Sequence, residues 1–331
     1  MLSRHFLRAK ALQSVYAYRT SDNKNIVNGE NLFALNINRL NDLGILQLST
    51  LTEMVRLAEQ ILEDGQRKFM PTEEEKNPSR RFVDNMFIAR LGANYEMQKY
   101  QERMKIDWSL QSDAFRKLYA RFRETELFKE YMATEPSYEG DRKLAMDLFR
   151  CIVNDETIVD AFASRELLWD DDFDQVAQYN FMMMKALDEE TFDEGTHIPL
   201  MHDERNEKDR EDYDFALQLF LNTVKHIDEN EPLIGKHLQN WELERVALMD
   251  ILLINMAITE FTTCPSIPER VTVDEYIELS KEFSTEKSKL FINGILDKIL
   301  IELKVAGRVN KSGRGLYDPE LLKELEKNNE L

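Results

Sequence analysis

One stretch constrains the fold more than any other. Leu243, Val246, Ala247, Ile251, Ile254, Ala257, Ile258 and Phe261 put apolar side chains on nearly every face of a helix. A helix that is apolar all round must be surrounded, so this segment is expected at the centre of other helices. The same three- and four-residue spacing recurs along most of the chain. Leu2, Phe6, Ala9, Leu12, Gln13 and Tyr16 trace one face over residues 1–19, and Leu32, Leu35, Ile37, Leu40, Leu43, Leu51, Met54 and Leu57 continue it further on. With 11 glycines and 8 prolines in 331 residues, turn-formers are too sparse for a β-sandwich. The expectation is an all-α protein.

Several breaks divide the pattern. MPTEEEKNPS at 70–79 reads as a polar linker with Pro71 and Pro78, and Glu135-Pro136-Ser137 marks a turn before a helix opening at Asp141. The acidic stretch 188–212 reads as a mobile surface loop. Ser284 or Thr285 is placed to cap a last helix with Glu286 in its first turn, running to about Val305. Gly294 lies inside that helix, where it costs about 1 kcal/mol relative to alanine, and close helix packing is the expected reason. The tail 307–315, with Arg308, Lys311 and Arg314, reads as frayed rather than as an RNA-following arm. DRKLAMDLFRCIV from Asp141 and EDYDFALQLFLNTV from Glu211 look alike; aligning Leu148-Phe149 with Leu219-Phe220 also brings Trp169 within one residue of Trp241. Either a degenerate duplication or a shared apolar period accounts for this.

The net charge is −19, which argues against a generally basic, nucleic-acid-binding surface. The charge is uneven, however. Residues 1–19 hold Arg4, Arg8, Lys10 and Arg19 and no acid, whereas 153–215 hold twenty acids against five bases. A local basic site outside the acidic segment therefore remains open. Two cysteines, Cys151 and Cys264, make neither a disulfide framework nor a zinc cluster and suit a reducing compartment. No apolar run approaches the ~20 residues of a membrane span, and no secretory leader follows Arg4, His5 and Arg8, so a cytoplasmic location is expected.

Catalytic motifs are missing: no phosphate-binding P-loop, no GxGxxG after a strand, no HExxH and no GxSxG. His197 and His202 with Asp193 and Asp203 lack a helix to fix metal-ligand spacing, and the acids at 170–174 lack the glycine and terminal glutamate of a calcium loop. No metal and no cofactor is expected. Met182-Met183-Met184 reads as core filler. Binding is better supported. Arg4 and Arg8 share a helix face, Lys287 and Lys289 flank a helix start suited to phosphate, and Phe291 follows as a stacking surface for an unpaired base. By spacing alone, each of these reads more readily as a solvated cation or a core aromatic than as an RNA contact.

The order of several blocks narrows this. NWELERVALMD at 240–250, the IP-x-x-V loop at 267–271 and FINGILDK at 291–298 are similar to the C-terminal half of the NusB family of transcription antitermination factors. RAKALQSVYA at 8–17, with Gln13 and Tyr16, resembles that family's first helix. The resemblance implies NusB-like helical bundles with an additional inserted helical lobe. Residues 1–19 plus 210–305 would form an RNA- and NusE-binding domain, 20–209 the inserted lobe with its acidic loop, and 306–331 a C-terminal tail. It further implies a non-enzymatic RNA-binding antitermination and elongation factor. Such a factor pairs with NusE, the ribosomal protein, and binds a boxA-like single-stranded element of ribosomal RNA operon transcripts. It works in the RNA polymerase elongation complex with other Nus factors. Arg4, Arg8, Lys287, Lys289 and Phe291 match RNA-facing positions; Tyr16, Glu244 and Asp250 match positions that face NusE. Three departures stand out: the family's arginine run is thinned to Arg4-His5-Phe6-Leu7-Arg8, Asn255 replaces a common arginine, and Lys287 replaces an often acidic residue.

Two other readings differ in class. A helical protein-interaction scaffold would use the acidic 153–215 segment to dock a basic ribosomal or transcription partner without sequence-specific RNA binding. An RNA-modifying enzyme would need a Rossmann-like cofactor domain, for which no alternating strand–helix pattern exists in the chain.

Overall fold

The computed structural model describes residues 2–22, 24–166, 169, 171–193, 195–238 and 246–316, and among them all regular structure is helical. The first half runs α1 (Arg4–Thr20), α2 (Ile26–Gln66), α3 (Glu73–Lys76), α4 (Met86–Ala93), α5 (Tyr95–Met104), α6 (Ser112–Arg123) and α7 (Glu126–Ala133). The second runs α8 (Tyr138–Val153), α9 (Glu156–Arg165), α10 (Phe173–Ala186), α11 (Glu207–His237), α12 (Leu248–Thr263), α13 (Glu269–Phe283) and α14 (Ser288–Val305). The chain divides into two compact units, Met1–Ile37 with Glu204–Leu331, and Asn38–Asp203.

In the first unit α12 is the centre, as its all-round apolar pattern requires: every residue from Asp250 to Phe261 is buried. Helices α1, α11, α13 and α14 all pack against it. Burying side chains of this size stabilises by about 1.5–3 kcal/mol each, which is what holds five helices with few tight turns together. Phe33 of α2 stacks on Phe220 of α11 with the rings 6.0 Å apart. Ser3 caps α1, its hydroxyl accepting from the Phe6 amide. At the other end, Gly307 takes a φ of +66°, and the Gly307 and Arg308 amides donate back to Lys304 and Leu303. That left-handed closure stops α14 where β-carbon-bearing residues are disfavoured.

The second unit is built around α8, against which α4, α6, α7, α9 and α10 pack. Trp108 sits between Phe115 and Phe162 and donates its indole N–H to Ser49. Asp141 is fully buried, paired with Arg81 at 2.5 Å and accepting the Tyr131 hydroxyl at 2.9 Å. With Leu148-Phe149 aligned to Leu219-Phe220, α8 and α11 bury the same positions: Asp141 and Asp212, Ala145 and Ala216, Ile152 and Thr223. Each aspartate takes an arginine, Arg81 in one unit and Arg4 in the other. Trp241 lies outside the described residues.

Three sequence expectations change here. The acidic stretch is not a mobile loop: Phe192, Ile198, Met201 and His202 are buried, and α11 has begun by Glu207. Arg90 donates to the Glu189 and Phe192 carbonyls, Asn94 to that of Thr196, and His197 bridges Glu96 and Asp203. The tail is not frayed up to Leu316. The Ser312 amide and the Lys311 ammonium donate to the Pro265 and Cys264 carbonyls, and Gly315 is buried. Gly294 serves no internal close packing, since a β-carbon there meets nothing within 4 Å. Of the three methionines, Met183 and Met184 are core while Met182 is 58% exposed.

Among the described residues, no group of three or more His, Cys, Asp or Glu is arranged to hold a metal, and no helix is long and apolar enough to cross a membrane.

Candidate functional site

Residues 284–287 join α13 to α14 beside the first turn of α12. Asp250, in that turn, is only 6% exposed. Ser284 donates its hydroxyl to Asp250 Oδ1 at 2.5 Å and Ser288 to Oδ2 at 2.9 Å. The Ser284 and Thr285 hydroxyls also lie 3.0 and 2.9 Å from Ser288 Oγ. A buried carboxylate is stable only if its oxygens are satisfied, and here both are taken by the turn it anchors. The expected cap therefore moves: Ser284 and Thr285 serve this hydroxyl network, and Lys287 occupies the cap position without a side-chain cap bond.

The turn forms one wall of a shallow groove of about 280 Å³, lined by Val246, Ala247, Asp250, Thr285, Lys287, Ser288 and Phe291. Lys287 and Lys289 are exposed and Phe291 is half-buried; Glu286 is exposed beside them. Neither lysine has an ion-pair partner among the described residues, and the first turn of α14 holds no acid. The positive end of the helix therefore adds to the Lys287 ammonium next to an apolar, partly aromatic floor, with Lys289 exposed on the same first turn. That combination suits a phosphate with a base stacked beside it.

The N-terminal cations are placed differently. Arg8 is 2% exposed and points inward, with Nε and Nη2 donating to Glu260 at 2.7 and 2.8 Å. Thr272 and Tyr276 donate their hydroxyls to the same carboxylate at 2.9 and 3.2 Å. Burial works against the Arg8 charge, but Glu260 outweighs it and holds the guanidinium above its ordinary pKa. Burial together with the Glu260 charge drives the Tyr276 phenol well above its usual range. Arg8 thus does not offer its charge to solvent. Arg4 is paired with Asp212 at 3.1 Å, and both arginines lie about 5 Å from the Phe215 ring at 5.1 and 5.2 Å. His5 lies between Glu275 at 2.8 Å and Glu282 at 2.9 Å; the Glu275 hydrogen bond, with Glu282 behind it and burial opposing, raises its pKa to about 9.

The structure therefore gathers Lys287, Phe291 and Asp250 on one groove, which Lys289 does not line, and Arg4 and Arg8 around Phe215. His5 ties the start of α1 to Glu282, near the end of α13. Tyr16 is 42% exposed and stands about 18 Å further along α1 than Arg4, at 1.5 Å per residue. Glu244 lies outside the described residues. Asn255 is fully buried and donates to the Ile251 carbonyl, which removes that position from the surface. The sequence does not single out Glu260 or Ser288, and it marks Ser284 only as a candidate helix cap. A lone acid inside the apolar run 251–263 does signal a buried counter-ion; nothing local ties the two serines to Asp250, 34 and 38 residues away.

Among the described residues the fold defines an all-helical protein. The model of the NusB family matches residues 172–300, from α10 into α14. Over 111 residues the chain is 44% identical to a transcription antitermination protein NusB of Salinibacter ruber, covering 34% of this chain and 69% of the relative. It is 40% identical over 111 residues to one from Chloroherpeton thalassium, covering 34% and 53%, and 36% identical over 101 residues to one from Myxococcus xanthus, covering 30% and 72%. No solved structure matches the chain at a significant level. The chain belongs to the NusB family. Its relatives are named as antitermination proteins and not as enzymes. Arg4, Arg8 and Tyr16 lie outside the residues matched by the family model.

Proposed function

We propose that the chain is a transcription antitermination factor that binds a boxA-like single-stranded RNA at the corner of α12 and α14 and pairs with the ribosomal protein NusE. It would act within the RNA polymerase elongation complex beside other Nus factors. The observation that carries this reading is the groove that puts Lys287 and Phe291 on one rim, with no acid in the helix's first turn. Lys287 and Lys289 supply phosphate contacts and Phe291 a stacking face. Arg4 adds charge from α1, Arg8 acts from beneath by holding α1 onto α12, and Asp250 fixes the turn. Tyr16 offers an exposed aromatic to NusE, with Glu244 as a second partner contact. In this reading residues 1–19 and 210–305 carry both interactions, residues 20–209 form an inserted lobe, and 306–331 a tail.

Every N-terminal cation at positions 4, 5 and 8 is matched by an acid, Asp212, Glu275, Glu282 or Glu260. This predicts weak RNA binding by the chain alone and tighter binding once NusE completes the site. The same pairing favours, as a second reading, a scaffold that holds a basic protein without sequence-specific RNA contact. Fluorescence anisotropy of a labelled boxA RNA against a scrambled control, with and without NusE, separates them. Selective binding that tightens with NusE supports the first reading, and NusE capture with no RNA selectivity supports the second.

A further inference from the structure

The docked segment after α14 carries a charge that the fold does not use. Residues 303–316 hold Lys304, Arg308, Lys311 and Arg314 and no acid, in a chain whose net charge is −19. Lys304 is paired with Glu269 at 2.8 Å, and Lys311 donates to the Cys264 carbonyl at 3.0 Å. Arg308 and Arg314 are exposed and form no ion pair among the described residues. Glu229, whose charge reaches Arg308, is itself bound to His226 at 2.9 Å.

A segment of like charges repels itself, and left free it would spread into solvent. Here it is held as a strap. The Ser312 amide donates to the Pro265 carbonyl, and Gly315 is buried so close to that carbonyl that a β-carbon would stand 2.0 Å from its oxygen. The two arginines are therefore presented from an ordered backbone, which a ligand need not order on binding. The occupant that relieves fixed, uncompensated guanidinium groups is a polyanion.

Helix α14 joins this strap to the groove at its start. From Lys287 and Phe291 the helix runs through 18 residues, about 27 Å, to the strap. Positions 287, 291, 294 and 298, at spacings of four, three and four, fall on one line along it. Gly294 leaves that line open, and Lys298 adds an exposed ammonium with no ion pair among the described residues. Asp297, exposed as well, stands about 100° round the helix from Lys298. Single cations spread over this length suit the repeating phosphates of an extended strand better than a compact acidic protein segment.

We propose that the strap at 307–316 is a second RNA contact, in which Arg308 and Arg314 bind phosphates of the strand that leaves the Lys287 groove along α14. The inference rests on the reading of the α14 start as an RNA surface, and its test separates the two.

With NusE present, fluorescence anisotropy compares a boxA RNA with the same RNA extended at its 5′ or its 3′ end by about ten uridines, a length within the range of single-strand sites. Wild type should bind one of the extended RNAs several-fold more tightly than the short one. Arg308→Ala with Arg314→Ala should lose that gain and leave the short-RNA affinity unchanged. The double variant should also flatten the plot of log affinity against log salt for the extended RNA by about 1.4. Both side chains are exposed, so the thermal midpoint should not move. A wild type that gains nothing from either extension overturns the proposal and leaves the strap's charge to an acidic protein segment, while the groove reading stands on the short RNA. A double variant that keeps the gain, or that loses equally on short and extended RNA, overturns it as well. A wild type that binds no RNA at all overturns the groove reading and this inference with it.

Discussion

Arg8 and Glu260 stand 252 residues apart in sequence and meet as a two-pronged ion pair from which solvent is almost wholly excluded. Removing one partner of such a pair leaves the other charged and unpaired in the core, at about 3–5 kcal/mol. Arg8→Ala should therefore lower the thermal unfolding midpoint sharply. Arg8→Lys should recover little of the loss, because an ammonium cannot reproduce two parallel bonds to one carboxylate. Circular-dichroism melts check both. An Arg8→Ala protein as stable as wild type would mean that the residue works at the surface instead.

His5 gives the fold a defined pH dependence. Its pKa rises from 6.5 to about 9 because Glu275, then Glu282, favour the charged ring against the opposing effect of burial. A raised folded-state pKa means the bridge stabilises fully below pH 6.5, and that this contribution fades as the pH climbs through about 9. The His5 ring should titrate near 9 by NMR. His5→Ala should destabilise the protein in mildly acidic buffer and make no difference in strongly alkaline buffer; equal effects in both would contradict the bridge.

Two glycines should respond in opposite directions to alanine. At Gly315 a β-carbon would stand 2.0 Å from the Pro265 carbonyl oxygen, a backbone atom that cannot step aside. Gly315→Ala should destabilise by about 1–3 kcal/mol and speed tryptic cleavage at Lys311 and Arg314. Gly294→Ala meets nothing and should stabilise the protein by about 1 kcal/mol. Urea unfolding measures both.

These cases show where sequence reading succeeds and where it stops. The central position of α12 was legible because an apolar residue on every face admits one environment. That Lys287 and Phe291 share a face was legible because they stand four residues apart, whereas Lys289, two residues from each, does not line the groove. Arg8 was misread as a surface cation: its neighbours in sequence say nothing of Glu260, and a guanidinium on an amphipathic helix looks the same whether it faces water or a buried acid. Ser284 was misplaced for the same reason, since Asp250 competes for its hydroxyl from a distant helix. The tail and the acidic loop read as free because polar sequence does not reveal where it docks, through backbone as with Ser312 on Pro265 or through side chains as with His197 between Glu96 and Asp203.

The hydroxyl network under the α14 start should govern its order. Ser284→Ala with Ser288→Ala strips the Asp250 carboxylate of both side-chain donors, at about 1–3 kcal/mol for a buried charged acceptor. Hydrogen exchange should then show faster amide exchange over residues 288–292, with α1 unaffected. Unchanged protection there would show that the turn is held by packing alone.

The account's central claim is that the α14 start is the RNA surface. The most direct measurement is the salt dependence of boxA RNA affinity, with NusE present, for wild type and for Lys287→Ala with Lys289→Ala. Loss of two phosphate contacts should weaken binding and flatten the plot of log affinity against log salt by about 0.7 per lysine, with the thermal midpoint and NusE binding unchanged. An identical affinity and slope in the double variant would contradict the claim.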